Sequence, residues 1–176
     1  MLEIIPASNL PLAIAQERSE LGFRPTASVL ARNENGLYLF VEQKREESEG
    51  IFWPIQGGIS SNEQPLVGAA REAMEETGLR LCPDRLTSLD GMRYSGGRLR
   101  DGYTKGKLFV GVFGIYDSND AAGRCIKANP AEIGSIKLVS EDEILSKILP
   151  DNVRLRPKTV LKSQFVAHLL DQIEQY

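Results

Sequence analysis

Three carboxylates lie close together in the segment GGISSNEQPLVGAAREAMEETGL, residues 57–79: Glu72, Glu75 and Glu76, spaced i, i+3 and i+4. On an α-helix that spacing puts all three within about 100° of the circumference, on one face. Like charges at i,i+4 weaken a helix by roughly 0.2–0.5 kcal/mol per pair, so the cluster calls for a compensating cation. Mg²⁺ suits it. That ion is hard, takes oxygen ligands, keeps several waters and commonly bridges protein carboxylates to substrate phosphates, and Mn²⁺ is able to stand in for it. Arg71, four residues before Glu75, can hold one carboxylate in place by a bidentate contact. A solvated helix surface with ordinary ion pairs would read the same over Arg71–Glu76 alone, so the wider pattern decides.

The wider pattern is Gly57, five residues, Glu63, seven residues, then Arg71-Glu72-Ala73-Met74-Glu75-Glu76-Thr77-Gly78-Leu79. This resembles the Nudix box at every fixed position. Seven specified residues, each with a usage near one in fifteen, coincide by chance on the order of once in 10⁸ windows. The resemblance implies an α+β Nudix fold, a mixed β-sheet sandwiched between α-helices, with the box forming a loop, a helix and a turn. It implies that Glu72, Glu75 and Glu76 bind metal, that the Gly57 carbonyl adds a ligand, and that Glu63 and Arg71 brace the carboxylates. In several branches of the family a further Glu in a later loop binds metal or acts as base. Glu132, in NPAEIGSIKLVS, is the candidate here, with a plain surface glutamate as the bland reading. The flanks FRPTASVLARNENG, WPIQGG and YTKGKLFVGVFGIY are similar to bacterial RNA 5′-pyrophosphohydrolases and dinucleoside polyphosphate hydrolases.

The elements that position these residues follow from periodicity and punctuation. Pro65 suits a first helical turn, and Leu66, Ala69, Ala70, Ala73 and Thr77 recur every three or four residues until Gly78, which predicts a helix with a glycine stop. TASVLAR and LYLFVEQ around the turn at 33–36 predict a β-hairpin. Residues 44–50 read as a charged loop, LTSLDGM and KLFVGVFGIY as strands, and residues 135–139 as a final strand. Ser140 and Glu143 have capping-box spacing for a short helix, and Pro157 opens a longer one towards Gln175. Residues 1–22 read as an N-terminal arm or short helix. The whole of 1–176 is expected to form one domain.

A basic run supplies the candidate substrate loop: Arg93, Arg98, Arg100, Lys105 and Lys107 stand against one acid, Asp101. Tyr94 and Tyr103 are candidate partners for a nucleobase in the same stretch. Phe52 and Trp53 are better read as core. So is His168, the only histidine, which shares a helical face with Leu161, Phe165 and Leu169. A net charge of −3 argues against broad binding to duplex DNA, and no apolar run reaches membrane-spanning length. The first ten residues lack a signal-peptide pattern, so a cytoplasmic setting is expected. Cys82 and Cys125 lack metal-site spacing and read as structural or incidental.

Diphosphate hydrolysis needs the phosphoryl charge neutralised, a water aligned in line with the leaving oxygen, and an acceptor for its proton. The resemblance therefore implies cleavage of a dinucleoside polyphosphate or an RNA 5′-polyphosphate end. ADP-ribose or a nucleoside triphosphate is the alternative substrate, and a nucleotide-sensing module without turnover is the alternative class. Such sensors usually lack a box carboxylate, whereas all three are present here. The isomerase branch of the fold carries a catalytic cysteine ahead of the box, which this chain lacks.

Overall fold

The computed structural model describes residues 2–21, 24–94 and 107–176, with backbone alone at 18–21, 94 and 107. Its centre is a seven-stranded mixed sheet: β1 (Leu2–Ile5), β2 (Thr26–Arg32), β3 (Tyr38–Gln43), β4 (Trp53–Gly58), β5 (Thr87–Tyr94), β6 (Lys107–Ile115) and β7 (Ile133–Val139). The spatial order is β1-β5-β6-β2-β4-β3-β7. Only β2 and β6 run parallel, in register from Thr26↔Phe109 to Arg32↔Ile115; the other pairings are antiparallel. The two central strands are covered on both faces, which explains why TASVLAR is buried at every position except Arg32 instead of alternating.

Helices α1 (Leu10–Leu21) and α2 (Pro65–Thr77) cover one face, where Leu10, Ile14, Ala69 and Ala73 meet Val29, Ile55, Val110 and Val112 in one buried cluster. On the other face lie α4 (Leu149–Leu155) and α5 (Val160–Glu174), reached from a helical turn, α3 (Glu141–Glu143), through a wider π-turn at Ile144–Ile148. There Phe165, Val166, Leu169 and Leu170 pack on Leu30, Phe40, Met92 and Phe109. Burying an aliphatic or aromatic side chain of this size stabilises by roughly 1.5–3 kcal/mol, so two such layers fix the sheet between its helices.

Several expectations sharpen. Residues 10–21 form a helix rather than an arm, and the segment before them adds strand β1, pairing Leu2–Ile5 with Tyr94–Gly91. WPIQGG is itself strand β4, and the last strand begins at Ile133, two residues before the predicted start. Pro65 stands at the start of α2 and Gly78 ends it with φ 69°, a left-handed cap that favours glycine. Ser140 accepts the Glu143 amide as the capping spacing requires. Phe52 and Trp53 are core residues, and Asn152, buried beside them, exchanges two hydrogen bonds with the Phe52 backbone at 2.8 and 3.2 Å. His168 departs from its reading as packing. It lies partly exposed with Nε2 2.9 Å from Asp90 Oδ2, tying α5 to β5. Both cysteines are exposed and free.

Candidate active site

Arg71 organises the acidic helix. Its guanidinium clasps Glu63 through two bonds, Nε to Oε2 at 2.8 Å and Nη2 to Oε1 at 2.9 Å, so the bidentate partner is Glu63. Nη1 reaches Glu72 at 2.8 Å and Glu75 at 3.0 Å, and Nη2 also donates to the Gly58 carbonyl at 2.8 Å. One planar cation thus joins α2, the loop before it and the end of β4, which a lysine's single ammonium does not reproduce. The Ser60 amide donates to Glu63 at 3.0 Å and completes that brace. The bonds to Glu63, and after them those to Glu72, raise the Arg71 pKa further against the opposing effect of burial and keep the guanidinium charged.

The three box carboxylates differ in setting. Glu75 is half exposed and turned to Arg71. Glu72 is largely covered and rests in the space left by Gly57, where a Cβ would stand 1.9 Å from its carboxyl carbon. A side chain at 57 would displace the Glu72 carboxylate from this place. Glu76 is the most enclosed: it is 5% exposed, and Oε2 is buried without a hydrogen-bond partner. Burial first, then the charges of Glu72 and Glu132, push its pKa up to about 8, against the lowering effect of the Gln56 backbone amide. Burial also raises Glu72, and the Arg71 bond opposes the rise.

These groups open into a cavity of about 730 Å³ lined by Gly57, Gly58, Glu72, Glu76 and Glu132 together with Arg24, Lys44, Arg45 and Lys162. The acidic members come from α2 and from the loop before β7. The basic members come from the approach to β2, the end of β3 and α5. Lys162 Nζ lies 4.3 Å above the Trp53 ring and 5.8 Å from that of Phe109, so two core aromatics carry the ammonium at the cavity. Glu132 has no helix to place it, but backbone bonds do: the Lys44 amide donates to its carbonyl at 2.7 Å, and the Asn129 amide, three residues earlier, donates to the Glu76 carbonyl at 2.9 Å.

Sequence reasoning brings Gly57, Glu63, Arg71, Glu72, Glu76 and Glu132 to this locality, and the structure places Glu75 at its outer edge. It missed Arg24, Lys44, Arg45 and Lys162. The first three had a signal in the basic residues of FRPT and KREE; Lys162 had none. Arg93 is not among the residues that line the cavity, and its Nη2 lies 3.9 Å from the buried Glu17 carboxylate on α1. The side chains of Tyr94 and Lys107, and all of Arg98, Arg100, Tyr103 and Lys105, lie outside the described residues.

An enclosed carboxylate with an unpartnered oxygen, a second held against a glycine cradle and a third nearby make a donor set that fits a hard divalent cation. Among the described residues no three such side chains already converge on one point. A hard divalent cation held there by one or two of these carboxylates would complete its shell with water and phosphate.

A family model described as NUDIX domain matches residues 22–163, well over half of the chain, and the chain belongs to the Nudix family. Among curated proteins it is similar to an RNA pyrophosphohydrolase of Roseobacter denitrificans, 36% identical over 64 residues that cover 36% of this chain and 39% of that protein. An RNA pyrophosphohydrolase of Agrobacterium fabrum is 32% identical over 81 residues, 43% of this chain and 48% of that one. The chain thus spans less than half the length of these relatives. A solved structure of a C. elegans Ap4A hydrolase binary complex shares the fold, with TM-score 0.52 and 16% identity over 84% of this chain and 98% of the other. Members of this family generally need divalent metal ions.

Proposed function

We propose that this chain is a Mg²⁺-dependent pyrophosphohydrolase that cuts a diphosphate linkage in a nucleotide, with the 5′-polyphosphate end of RNA as the favoured substrate and dinucleoside polyphosphates next. The observation that carries this reading is the single cavity in which Glu72, Glu76 and Glu132 meet Arg24, Lys44, Arg45 and Lys162. Carboxylates alone would repel a polyphosphate, and cations alone would bind it without activating water. Together they suit a substrate held by some phosphates and attacked at another. The partial relatives named RNA pyrophosphohydrolase support the RNA end.

Glu72 and Glu76, with the Gly57 carbonyl, would hold the metal. Once bound, the ion neutralises phosphate oxygens and acidifies water. Arg71 keeps Glu72 oriented and Glu75 drawn aside through the bonds described. Arg24, Lys44, Arg45 and Lys162 bind the phosphates that flank the attacked one. Glu132, exposed on the cavity and anchored by its backbone, accepts a proton from the attacking water as the water oxygen bonds to phosphorus and the bridging oxygen leaves.

Product analysis tests the reading. The protein is incubated in Mg²⁺ with 5′-triphosphorylated RNA, diadenosine tetraphosphate, ADP-ribose and a nucleoside triphosphate in parallel, with Glu76→Gln as control. Selective turnover of the RNA, abolished in the control, is expected. Turnover of ADP-ribose alone would move the substrate, and no turnover of any of the four would overturn the reading.

A further inference from the structure

The segment Cys125–Glu132 is fastened to the end of α2. The amides of Lys127 and Asn129 donate to the carbonyls of Thr77 and Glu76 at 2.7 and 2.9 Å, two acceptors at a helix end that the helix itself leaves unpaired. A Cβ on Gly78 would stand 2.3 Å from the Cys125 carbonyl oxygen, so the cap residue lies flat against the same segment. Glu76 therefore takes part twice, with its carboxylate in the cavity and its carbonyl in the strap.

Asn129 is where the strap turns. Its Oδ1 accepts the Ala131 amide at 3.1 Å, closing an Asx turn over Pro130, whose ring already fixes φ for the second position of such a turn. Its carbonyl accepts the amides of Glu132 at 3.1 Å and Ile133 at 2.8 Å. From the other side, Lys44 Nζ donates to the Pro130 carbonyl at 2.9 Å and the Lys44 amide to that of Glu132. One residue thus joins the backbone of Glu76 to the turn that presents Glu132, and the strand β7 that follows starts from its carbonyl.

We propose that Asn129 is a positioning residue: through its side-chain turn it sets the Glu132 carboxylate relative to Glu72 and Glu76 in the cavity. The functional half of this rests on the hydrolase reading of Glu132; the anchoring half does not. Removing the side-chain acceptor leaves the Asn129 amide and carbonyl bonds available, so Asn129→Ala should fold while its turn loosens. Asn129→Asp keeps an oxygen at the same place.

The test combines amide hydrogen exchange with kinetics on wild type, Asn129→Ala, Asn129→Asp, Glu132→Gln and the double variant Asn129→Ala/Glu132→Gln. In Asn129→Ala the Ala131 amide, which loses its acceptor, should exchange roughly five-fold faster, the scale of one lost net hydrogen bond, the Glu132 and Ile133 amides of the loosened turn should follow, and α2 core amides should be unchanged. Its kcat should fall roughly 10- to 100-fold with KM nearly constant, as for a displaced reacting group. Asn129→Asp should restore both, and the double variant should be no slower than Glu132→Gln alone. Unchanged exchange, unchanged kcat, or losses that add in the double variant would each overturn the proposal. If the wild type turns over no substrate, the hydrolase reading fails by itself and the exchange rates still decide the anchoring.

Discussion

The acidic and basic halves of the cavity are built in different ways. The acidic half is largely local: Arg71 contacts Glu63, Glu72 and Glu75, all within eight residues of it, and Gly57 makes room for Glu72 fifteen positions on. The basic half is gathered from Arg24, Lys44, Arg45 and Lys162, and Lys162 arrives from a helix on the opposite face of the sheet from α2. A local constellation survives as a sequence motif because its geometry is a property of one helix and its lead-in. A gathered constellation depends on strand order, and its members carry no mutual spacing. Chemistry common to a family fits the first kind, and discrimination among substrates the second.

The comparison breaks first if the acidic half is dispensable. Glu76→Gln should lower kcat on the order of 10³-fold, since several kcal/mol of charge stabilisation by a metal is at stake. Its effect on stability runs the other way. In the metal-free protein the raised pKa means that between the ordinary value of 4.5 and about 8 the folded chain holds a proton the unfolded chain has released. Stability from this group is therefore complete below pH 4.5 and lost as pH rises through about 8. At pH 8 without metal, Glu76→Gln should be more stable than wild type by up to about 4 kcal/mol, and the gap should close near pH 4. Thermal melts across that range, with chelator present, check both the sign and the window. Equal melting temperatures at pH 8 would show that Glu76 is not held at the cost its burial implies.

Arg71→Lys comes next. A lysine keeps the charge but loses the two-bond clasp on Glu63 and the shared contact with Glu72, so kcat/KM should fall roughly 10- to 100-fold, the usual range for a residue that orients metal ligands. Steady-state rates across Mg²⁺ concentrations distinguish a weakened metal site, which excess ion rescues, from a lost catalytic group, which it does not.

How much was legible follows the same division. The α2 boundaries could be read from Pro65 and Gly78 because helix ends obey local stereochemistry, and the brace could be read from the box. Strand β1 was not, because LEII is only four residues long and its partner lies some ninety positions away in β5. His168 was read from its helical face, although its partner Asp90 is 78 positions distant and invisible to periodicity. Lys162 was missed for the same reason: a lysine on a C-terminal helix looks like any solvated cation until the fold stacks it over Trp53. The charged loop at 44–50 was seen but not assigned, since the Lys44 bonds to Pro130 and Glu132 exist only once β3 and β7 pair.

The smallest effects bear on which cations grip the phosphates. Lys162→Met should raise KM for triphosphorylated RNA roughly 10-fold at nearly constant kcat, the scale of one charge-assisted hydrogen bond, and methionine preserves the packing on Trp53 and Phe109. Neutralising Arg98 and Arg100 together should raise KM only about two- to three-fold, because the cavity lining already supplies four cations; a rise due to long-range attraction alone would largely vanish at high salt, where free charges are screened within about 8–10 Å. Measuring both variants at low and high ionic strength ranks the gathered cavity against the basic run that sequence favoured. A larger, salt-resistant effect from Arg98 and Arg100 would transfer the main phosphate grip to the β5–β6 connection. In that case the basic half too would be local, and the contrast between the two halves would collapse.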